Sequence, residues 1–302
     1  MIRLLAPLLL LLPLGACATA GGAPPPEAEA ARPTFASERL SVEVVGSGPD
    51  VLLIPGLSSS PDVWRSTVAA VAGYRYHIVH VAGFAGKPAG ANASGPVVEP
   101  VAEEIARYIR EAGLKRPAIV GHSLGGAWAM MVAARNPGLV SKAMVVDMMP
   151  FLGAMFGGPT ATTESVRPIA EQMRIGIATS TGEARRKQVE QTIAGMVRTE
   201  ALRPQIVEHS LASDPVASGQ AMYDLVTSDL RPDVAKIQVP LTVLYVRPAG
   251  APVTDAQMEQ YYAMSYSGAP QAVLKRIPDS YHFIMFDAPD VFRSELKTFL
   301  AR

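Results

Sequence analysis

Short apolar runs alternate along this chain with longer segments in which apolar residues recur at helical spacing. The first run, at residues 39–45, alternates apolar and polar positions, which predicts an antiparallel strand at the start of a sheet. The later runs are mostly continuous, as in strands that are buried on both faces. They predict strands at residues 51–54, 76–81, 117–120, 142–146, 241–246 and 272–277.

Helical periodicity is strongest at residues 100–112, where Val101, Ile105, Tyr108 and Ile109 fall on one face. Other helices of the same kind are predicted at residues 62–71, 124–135 and 291–300. Because strands and helices alternate, the sequence predicts an α/β fold. Its central sheet is expected to be mostly parallel and covered by helices on both faces.

The alternation stops at residues 148–236, where helical patterns follow one another without a convincing strand. These patterns lie at residues 166–175, 183–197, 204–211 and 217–225. We therefore expect a core formed by residues 37–147 and 237–302, with residues 148–236 inserted into it as a helical unit.

The insertion opens with an apolar, methionine-rich stretch that includes Met149, Phe151, Met155 and Phe156. One interpretation is ordinary packing of the insertion on the sheet. The other is an adaptable apolar wall of a substrate pocket, since methionine side chains repack easily around a ligand. The pattern is compatible with both interpretations.

The first residues have the pattern of an export signal. Arg3 precedes an apolar run at residues 4–14, which is too short to span a bilayer as a helix. The run ends in Leu-Gly-Ala-Cys17, which resembles a bacterial lipobox, so residues 1–17 are expected to be a lipoprotein-type signal with Cys17 as the lipidated residue. The alternative is cleavage after Ala20 and secretion without a lipid.

Residues 18–36 are rich in alanine, proline and glycine, and they are predicted to form a semi-extended tether. We therefore expect an exported protein held at a membrane, on its periplasmic or cell-surface side, with a soluble secreted protein as the alternative. Cys17 is the only cysteine in the sequence, so the folded domain is expected to have neither a disulfide nor a catalytic thiol.

Charge narrows the choice of partners. The 27 basic residues (Lys and Arg) balance the 27 acidic residues, and no basic patch is visible, so a nucleic-acid partner is not expected. Neither the spacing of metal ligands nor a phosphate-binding loop is found in the sequence. We therefore expect no metal and no cofactor.

Gly121-His122-Ser123-Leu124-Gly125 matches G-x-S-x-G, in which a serine lies on a sharp turn between a strand and a helix. The predicted strand at residues 117–120 enters this turn, and the predicted helix at residues 124–135 leaves it. A turn that presses the serine backbone against its neighbours leaves no room for a Cβ on either side, which explains the glycines. The motif predicts that Ser123 is a nucleophile.

An alkyl hydroxyl is a poor nucleophile near neutral pH, and it needs a base whose orientation is fixed by a third group. Five histidines are available. His77 and His80 lie in or beside a predicted strand, His122 is part of the serine turn, and His209 lies in the insertion. Only His282 lies in a loop just beyond the last predicted strand, so we expect it to be the base.

The serine motif, the late histidine and the turn Pro55-Gly56-Leu57 together resemble the α/β-hydrolase family, as does the segment at residues 79–86. The resemblance covers residues 39–302. It implies a helical cap, formed here by the insertion, over the active site. It also implies an oxyanion hole made by the backbone N–H groups of Leu124 and Leu57, with Ser58 as the alternative to Leu57. The chain departs from the family in having Pro-Gly where His-Gly is frequent.

Three carboxylates compete for the role of the acid. In the family the acid most often follows the strand predicted at residues 241–246, but the next residues contain no carboxylate. Asp255 comes later, where Thr254 opens a capping box and an aspartate favours the first helical turn. Asp147 ends the strand after the serine helix, a position that some family members use, whereas Asp279 fits a turn. We rank Asp147 first, Asp255 second and Asp279 third.

The sequence therefore predicts a serine hydrolase that cleaves a small, apolar ester through an acyl-enzyme, with Ser123 as nucleophile, His282 as base and Asp147 as acid. Lactonase, thioesterase, carbon–carbon hydrolase and acyltransferase activities use the same serine and are alternatives. A surface-anchored binding protein on the same fold is the alternative from another class. The intact serine motif and the retained histidine favour the enzyme.

Overall fold

Seven strands form one sheet within residues 35–248 and 250–302, which are the residues that the computed structural model describes. They are β1 (Leu40–Gly46), β2 (Asp50–Ile54), β3 (Arg75–Val81), β4 (Ala118–His122), β5 (Lys142–Val146), β6 (Leu241–Tyr245) and β7 (Ala272–Arg276). Their order is β1-β3-β2-β4-β5-β6-β7, with β1 antiparallel to β3 and all other pairs parallel. The predicted α/β fold class is confirmed.

The predicted signal at residues 1–17, its lipidation site Cys17, and residues 18–34 of the predicted tether lie outside the described residues. None of the helices in the described part of the chain is both long and apolar enough to cross a bilayer.

Helices cover the sheet and form the insertion. They are α1 (Arg65–Ala70), α2 (Val98–Glu111), α3 (Leu124–Arg135), α4 (Ala154–Gly157), α5 (Thr163–Thr179), α6 (Gly182–Met196), α7 (Arg203–Ala212), α8 (Pro215–Thr227), α9 (Arg231–Val234), α10 (Asp255–Ser265), α11 (Ile284–Asp287) and α12 (Pro289–Ala301). Short 3₁₀ helices lie at Pro61–Trp64, Gly90–Asn92 and Glu200–Leu202.

Successive residues of β2 belong to two separate hydrophobic clusters. Leu52 and Ile54 pack with α2 and α3, whereas Val51 and Leu53 pack with α12. All four side chains are at most 1% exposed. Burying a side chain of this size contributes about 1.5–3 kcal/mol, so the central strands hold helices against both faces of the sheet.

The helix predicted at residues 62–71 is divided. A 3₁₀ helix, Pro61–Trp64, comes first and α1 follows it directly. Ser60 caps the first piece by accepting the N–H of Asp62 at 3.1 Å. Pro61 has no N–H and favours the first helical turn. The helical segment therefore begins with a tight 3₁₀ turn, which hydrophobic periodicity alone does not reveal.

Between β5 and β6 the chain forms helices α4 to α9, joined by turns and one 3₁₀ helix. In it α5 packs on α8 and α6 packs on α7. Phe151, Val166 and Val226 form part of a separate small cluster of buried side chains. A role of the insertion as a cap over the active site stays a prediction.

The direction in which strands are added to the sheet reverses at β2. Strand β2 lies between β3 and β4. After β2 the chain adds β3 on one side of it, and then crosses over to add β4 on the other side. At such a reversal the loops that follow the two strands diverge, and ligands bind between them. The loop that begins with Pro55 follows β2, and Ser123 follows β4.

Candidate active site

Ser123 connects β4 to α3 in a strained turn, with φ of 54° and ψ of −123°. A residue other than glycine pays roughly 1–3 kcal/mol for such a conformation, so surrounding contacts must hold it. The N–H of Ser123 donates to the carbonyl of Val146 at 2.9 Å, and its carbonyl accepts from Gly126 at 2.7 Å. The next strand and the first turn of α3 therefore fix the serine.

Close packing requires the glycines on both sides of the serine. A Cβ on Gly121 would lie 1.9 Å from the carbonyl oxygen of Gly125. A Cβ on Gly125 would lie 2.2 Å from the carbonyl oxygen of Ile54 in β2. Both obstacles are backbone atoms, which have no room to move in a buried sheet.

His282 and Asp147 form a hydrogen-bonded pair beside this turn. The Nδ1 atom of His282, in the loop after β7, lies 2.6 Å from Oδ2 of Asp147, the residue after β5. Their side chains are 20% and 11% exposed. When Nδ1–H donates to the carboxylate, Nε2 carries the lone pair that a general base needs.

The second oxygen of Asp147 is also bound. Oδ1 accepts the backbone N–H of Val246 at 3.1 Å and the hydroxyl of Tyr262 at 3.3 Å. Burial, followed by the charge of Asp147, raises the pKa of Tyr262 well above its ordinary value, so its hydroxyl stays a donor. Three donors thus fix the orientation of one carboxylate.

The other candidate acids are engaged elsewhere. Asp255 begins α10, where Thr254 and Gln257 form the predicted capping box, and its carboxylate pairs with Arg247 at 2.8 Å and Arg276 at 3.0 Å. Asp279 lies in a turn with φ of 55°, has an 85% exposed side chain, and pairs with Arg198 at 3.3 Å. Among the three predicted candidates, the structure brings Asp147 to His282.

His122 supports the loop that carries His282, a contact that the sequence did not reveal. Its ring centroid lies 4.6 Å from that of His282 and 4.6 Å from that of Phe283. Its Nε2 lies 3.0 Å from the carbonyl oxygen of His282. A carbonyl only accepts, so Nε2 is the protonated nitrogen. Burial, then the positive charge that His282 can carry, lowers the pKa of His122 well below its ordinary value, and the ring stays neutral.

The backbone amides of the two predicted oxyanion donors follow Ser123 and Gly56 directly in the chain. The N–H of Leu124 is at the N-terminus of α3, where amides lack partners within the helix. Leu57 follows Gly56, whose Cα is so close to the serine that a Cβ there would lie 2.9 Å from Cβ of Ser123. In the described part of the chain neither amide has a hydrogen-bond acceptor. Ser58, the alternative donor, has φ of 54° and places its hydroxyl 2.9 Å from that of Ser218 in α8.

The sequence profile of the alpha/beta hydrolase family matches residues 51–295. The chain belongs to the α/β-hydrolase family. It is 28% identical over 250 residues to a pimeloyl-[acyl-carrier protein] methyl ester esterase from Vibrio atlanticus, covering 78% of this chain and 93% of that protein. A protein of the same name from Nitrosospira multiformis is 25% identical over 265 residues, with coverage of 86% and 97%.

Solved structures share the fold at lower identity. The enol-lactonase from Burkholderia xenovorans superposes with a TM-score of 0.71 at 16% identity, over 87% of this chain and 96% of that one. An esterase from Exiguobacterium antarcticum gives 0.72 at 19% identity, with the same coverage of 87% and 96%. These similarities show a common architecture for enzymes of this family.

The four predicted pocket residues of this α/β hydrolase differ in burial. Met149 and Phe151 are 6% and 1% exposed and belong to packed hydrophobic clusters, in keeping with the packing interpretation. Met155 and Phe156, in α4, are 49% and 42% exposed. A pocket role for these side chains stays a prediction. Within residues 35–248 and 250–302, no group of three or more acidic, histidine or cysteine side chains could hold a metal ion.

We predict that the hydrolase loses stability between pH 7 and pH 5 because of His122. The pKa of His122 is lower in the folded than in the unfolded chain. As the pH falls, His122 is therefore protonated near pH 6.5 in the unfolded chain, before it is protonated in the folded chain. The contribution of a neutral His122 is therefore complete above this pH and is lost as the pH falls, at up to about 1.4 kcal/mol per pH unit. Urea denaturation at each pH measures this slope.

The dependence of the unfolding free energy on pH is compared between the unmodified chain and the variant His122→Asn. Burial also lowers the pKa values of His77, His80 and His209, so the variant should keep part of the dependence and lose part of it. Equal slopes for the variant and the unmodified chain would contradict the prediction, whatever their stabilities at pH 7.

Proposed function

We propose that this α/β hydrolase cleaves a small ester with an apolar acyl or alcohol part, through an acyl-enzyme. The observation that carries the proposal is the 2.6 Å hydrogen bond between His282 and Asp147 beside the strained turn at Ser123. The names of the relatives support the bond type, since they describe methyl ester esterases.

The proposed first half-reaction forms the acyl-enzyme. Oγ of Ser123 attacks the ester carbonyl carbon while Nε2 of His282 takes the hydroxyl proton. Asp147 keeps Nδ1–H of His282 in place and stabilises the imidazolium. The N–H groups of Leu57 and Leu124 stabilise the negative oxygen of the tetrahedral intermediate. His282 then gives its proton to the leaving alcohol.

The second half-reaction releases the acid. A water molecule takes the place of the alcohol, and Nε2 of His282 removes its proton as it attacks the acyl carbon. The bond to Oγ of Ser123 breaks, and the serine recovers its proton from His282. The same residues therefore act in both halves, with His282 alternating between base and acid.

Covalent labelling tests the nucleophile. We predict that a fluorophosphonate probe modifies Ser123, and that Ser123→Ala abolishes both labelling and the hydrolysis of a p-nitrophenyl ester, because no other group supplies the attacking oxygen. Peptide mass spectrometry locates the probe, and circular dichroism checks the fold. Ser294→Ala, at an exposed position of α12, is the control and should keep both signals. Undiminished turnover in Ser123→Ala would contradict the proposed nucleophile, whereas the absence of both labelling and turnover in the unmodified chain would favour a binding protein.

A pair of asparagine variants tests the acid. Asp147→Asn should lower kcat by about 10⁴-fold at near-normal stability, since the wrong histidine tautomer is then favoured. Asp255→Asn loses two exposed ion pairs and a favourable charge at the start of α10, which costs about 0.3–1 kcal/mol, and it should keep its activity. Steady-state kinetics and urea denaturation separate the two effects. A larger loss of kcat in Asp255→Asn would contradict the assignment.

We further propose that the protein is exported and anchored by a lipid on Cys17. The basic Arg3, the apolar run at residues 4–14 and the small residues before the cysteine support this proposal. In a bacterial host, the full chain should fractionate with membranes, and Cys17→Ser should lose its lipid and leave the membrane fraction. A mature N-terminus at Gly21, found by mass spectrometry, would instead indicate secretion without an anchor.

A further inference from the structure

The carboxylate of Asp287, at the end of α11, joins three backbone donors from two separate parts of the chain. Its Oδ2 accepts the N–H of Tyr281 at 2.9 Å and that of Arg198 at 3.0 Å. Its Oδ1 accepts the N–H of Thr199 at 2.8 Å. We call these three hydrogen bonds the Asp287 clasp. Tyr281 precedes His282, whereas Arg198 and Thr199 follow α6 in the helical insertion.

Two more hydrogen bonds join the same two segments. The N–H of Phe283 donates to the carbonyl of Met196 at 3.2 Å. The guanidinium of Arg198 donates to the carbonyl of Asp279 at 2.6 Å. The segment at residues 279–287, which carries His282 and includes α11, is therefore attached to the insertion along its length.

The clasp acts directly on the backbone beside His282. The N–H groups of Tyr281 and Phe283, on either side of the histidine, are bound by the clasp and by the insertion, and the carbonyl of His282 itself accepts from His122. Few positions therefore remain for the imidazole. A shift of about 1 Å in a reacting group can cost about 100-fold in rate, so a loop held this way has catalytic consequences.

We propose that Asp287 is a positioning residue for His282, and that the helical insertion, through residues 196–199, forms part of the scaffold of the active site. The proposal rests on the proposed function. Asp287 itself reaches the site only through the backbone of the His282 loop, so its effect is on the rate of the chemical steps and not on substrate binding.

Asp287→Asn is the first test. The amide keeps the size of the side chain but replaces one acceptor oxygen by an NH₂ group, which then faces a backbone N–H. We expect kcat for a p-nitrophenyl ester to fall about 10- to 100-fold, with KM within twofold and an equal fall in the rate of fluorophosphonate labelling. Asp290→Asn is the matched control, because that side chain is 95% exposed and pairs with Arg293 across 3.3 Å. It should leave all three quantities unchanged.

A second pair of variants removes the clasp from the side of the insertion. Thr199 has φ of −73°, which a proline ring accepts, so Thr199→Pro replaces the N–H donor by a ring carbon that displaces the carboxylate of Asp287. Thr199→Ala changes the side chain and keeps the N–H. We expect Thr199→Pro to lower kcat as Asp287→Asn does and Thr199→Ala to be neutral. The double variant Asp287→Asn/Thr199→Pro should lose little more than either single one, because both break the same bond.

A proton NMR signal provides a readout that does not depend on turnover. The Nδ1–H proton of His282, held between nitrogen and the Asp147 oxygen, should resonate far downfield of the amide protons. Asp287→Asn and Thr199→Pro should broaden or remove this signal, while Asp290→Asn and Thr199→Ala keep it. If the unmodified chain has no esterase activity, the proposed function is contradicted, but the NMR signal of His282 still tests the role of Asp287.

The proposal is overturned by any of three results. One is a kcat for Asp287→Asn within twofold of the unmodified enzyme. Another is a fall in kcat that matches only the loss of folded protein in urea denaturation. The third is that the fold-losses in kcat of Asp287→Asn and Thr199→Pro multiply in the double variant, while the NMR signal of the Nδ1–H proton of His282 is unchanged in both single variants.

Discussion

The hydrogen bond between His282 and Asp147 links the ends of two strands that are not neighbours in the sheet, and the candidate site is organised around it. Strand β6 lies between them. In the family the acid most often follows this middle strand, but here the strand contributes a backbone N–H, from Val246, that binds Asp147. The proposed acid, Asp147, therefore lies one strand away from the position that is most frequent in the family, and a backbone N–H at that position binds its carboxylate.

The same principle of support from several directions applies to the serine and the histidine. The strain at Ser123 persists because β2, β4 and β5 leave no alternative for the turn between them. The His282 loop is bound by His122 from the serine turn and by Asp287 together with the insertion. Each proposed reacting group is thus held by at least two separate elements, which is the structural basis of a preorganised site.

Much of the fold could be predicted from the sequence, because the strands, the helices and the serine turn depend on local patterns. Periodicity and glycine spacing report on neighbours along the chain. The order of preference among the acids also agrees with the geometry, since Asp147 lies at a strand end and Asp255 in a capping box. The contacts of Tyr262 and Asp287 could not be predicted, because they join residues whose proximity is created only by the folded sheet.

A crystal structure of the enzyme after reaction with a p-nitrophenyl dialkyl phosphate is the most direct test of the proposed mechanism. We expect a phosphoryl group on Oγ of Ser123, with its free oxygen within hydrogen-bond distance of the N–H groups of Leu57 and Leu124. We also expect Nδ1 of His282 still to donate to Asp147. A phosphoryl group on another residue, or a His282 that pairs with Asp255 in the adduct, would contradict this mechanism.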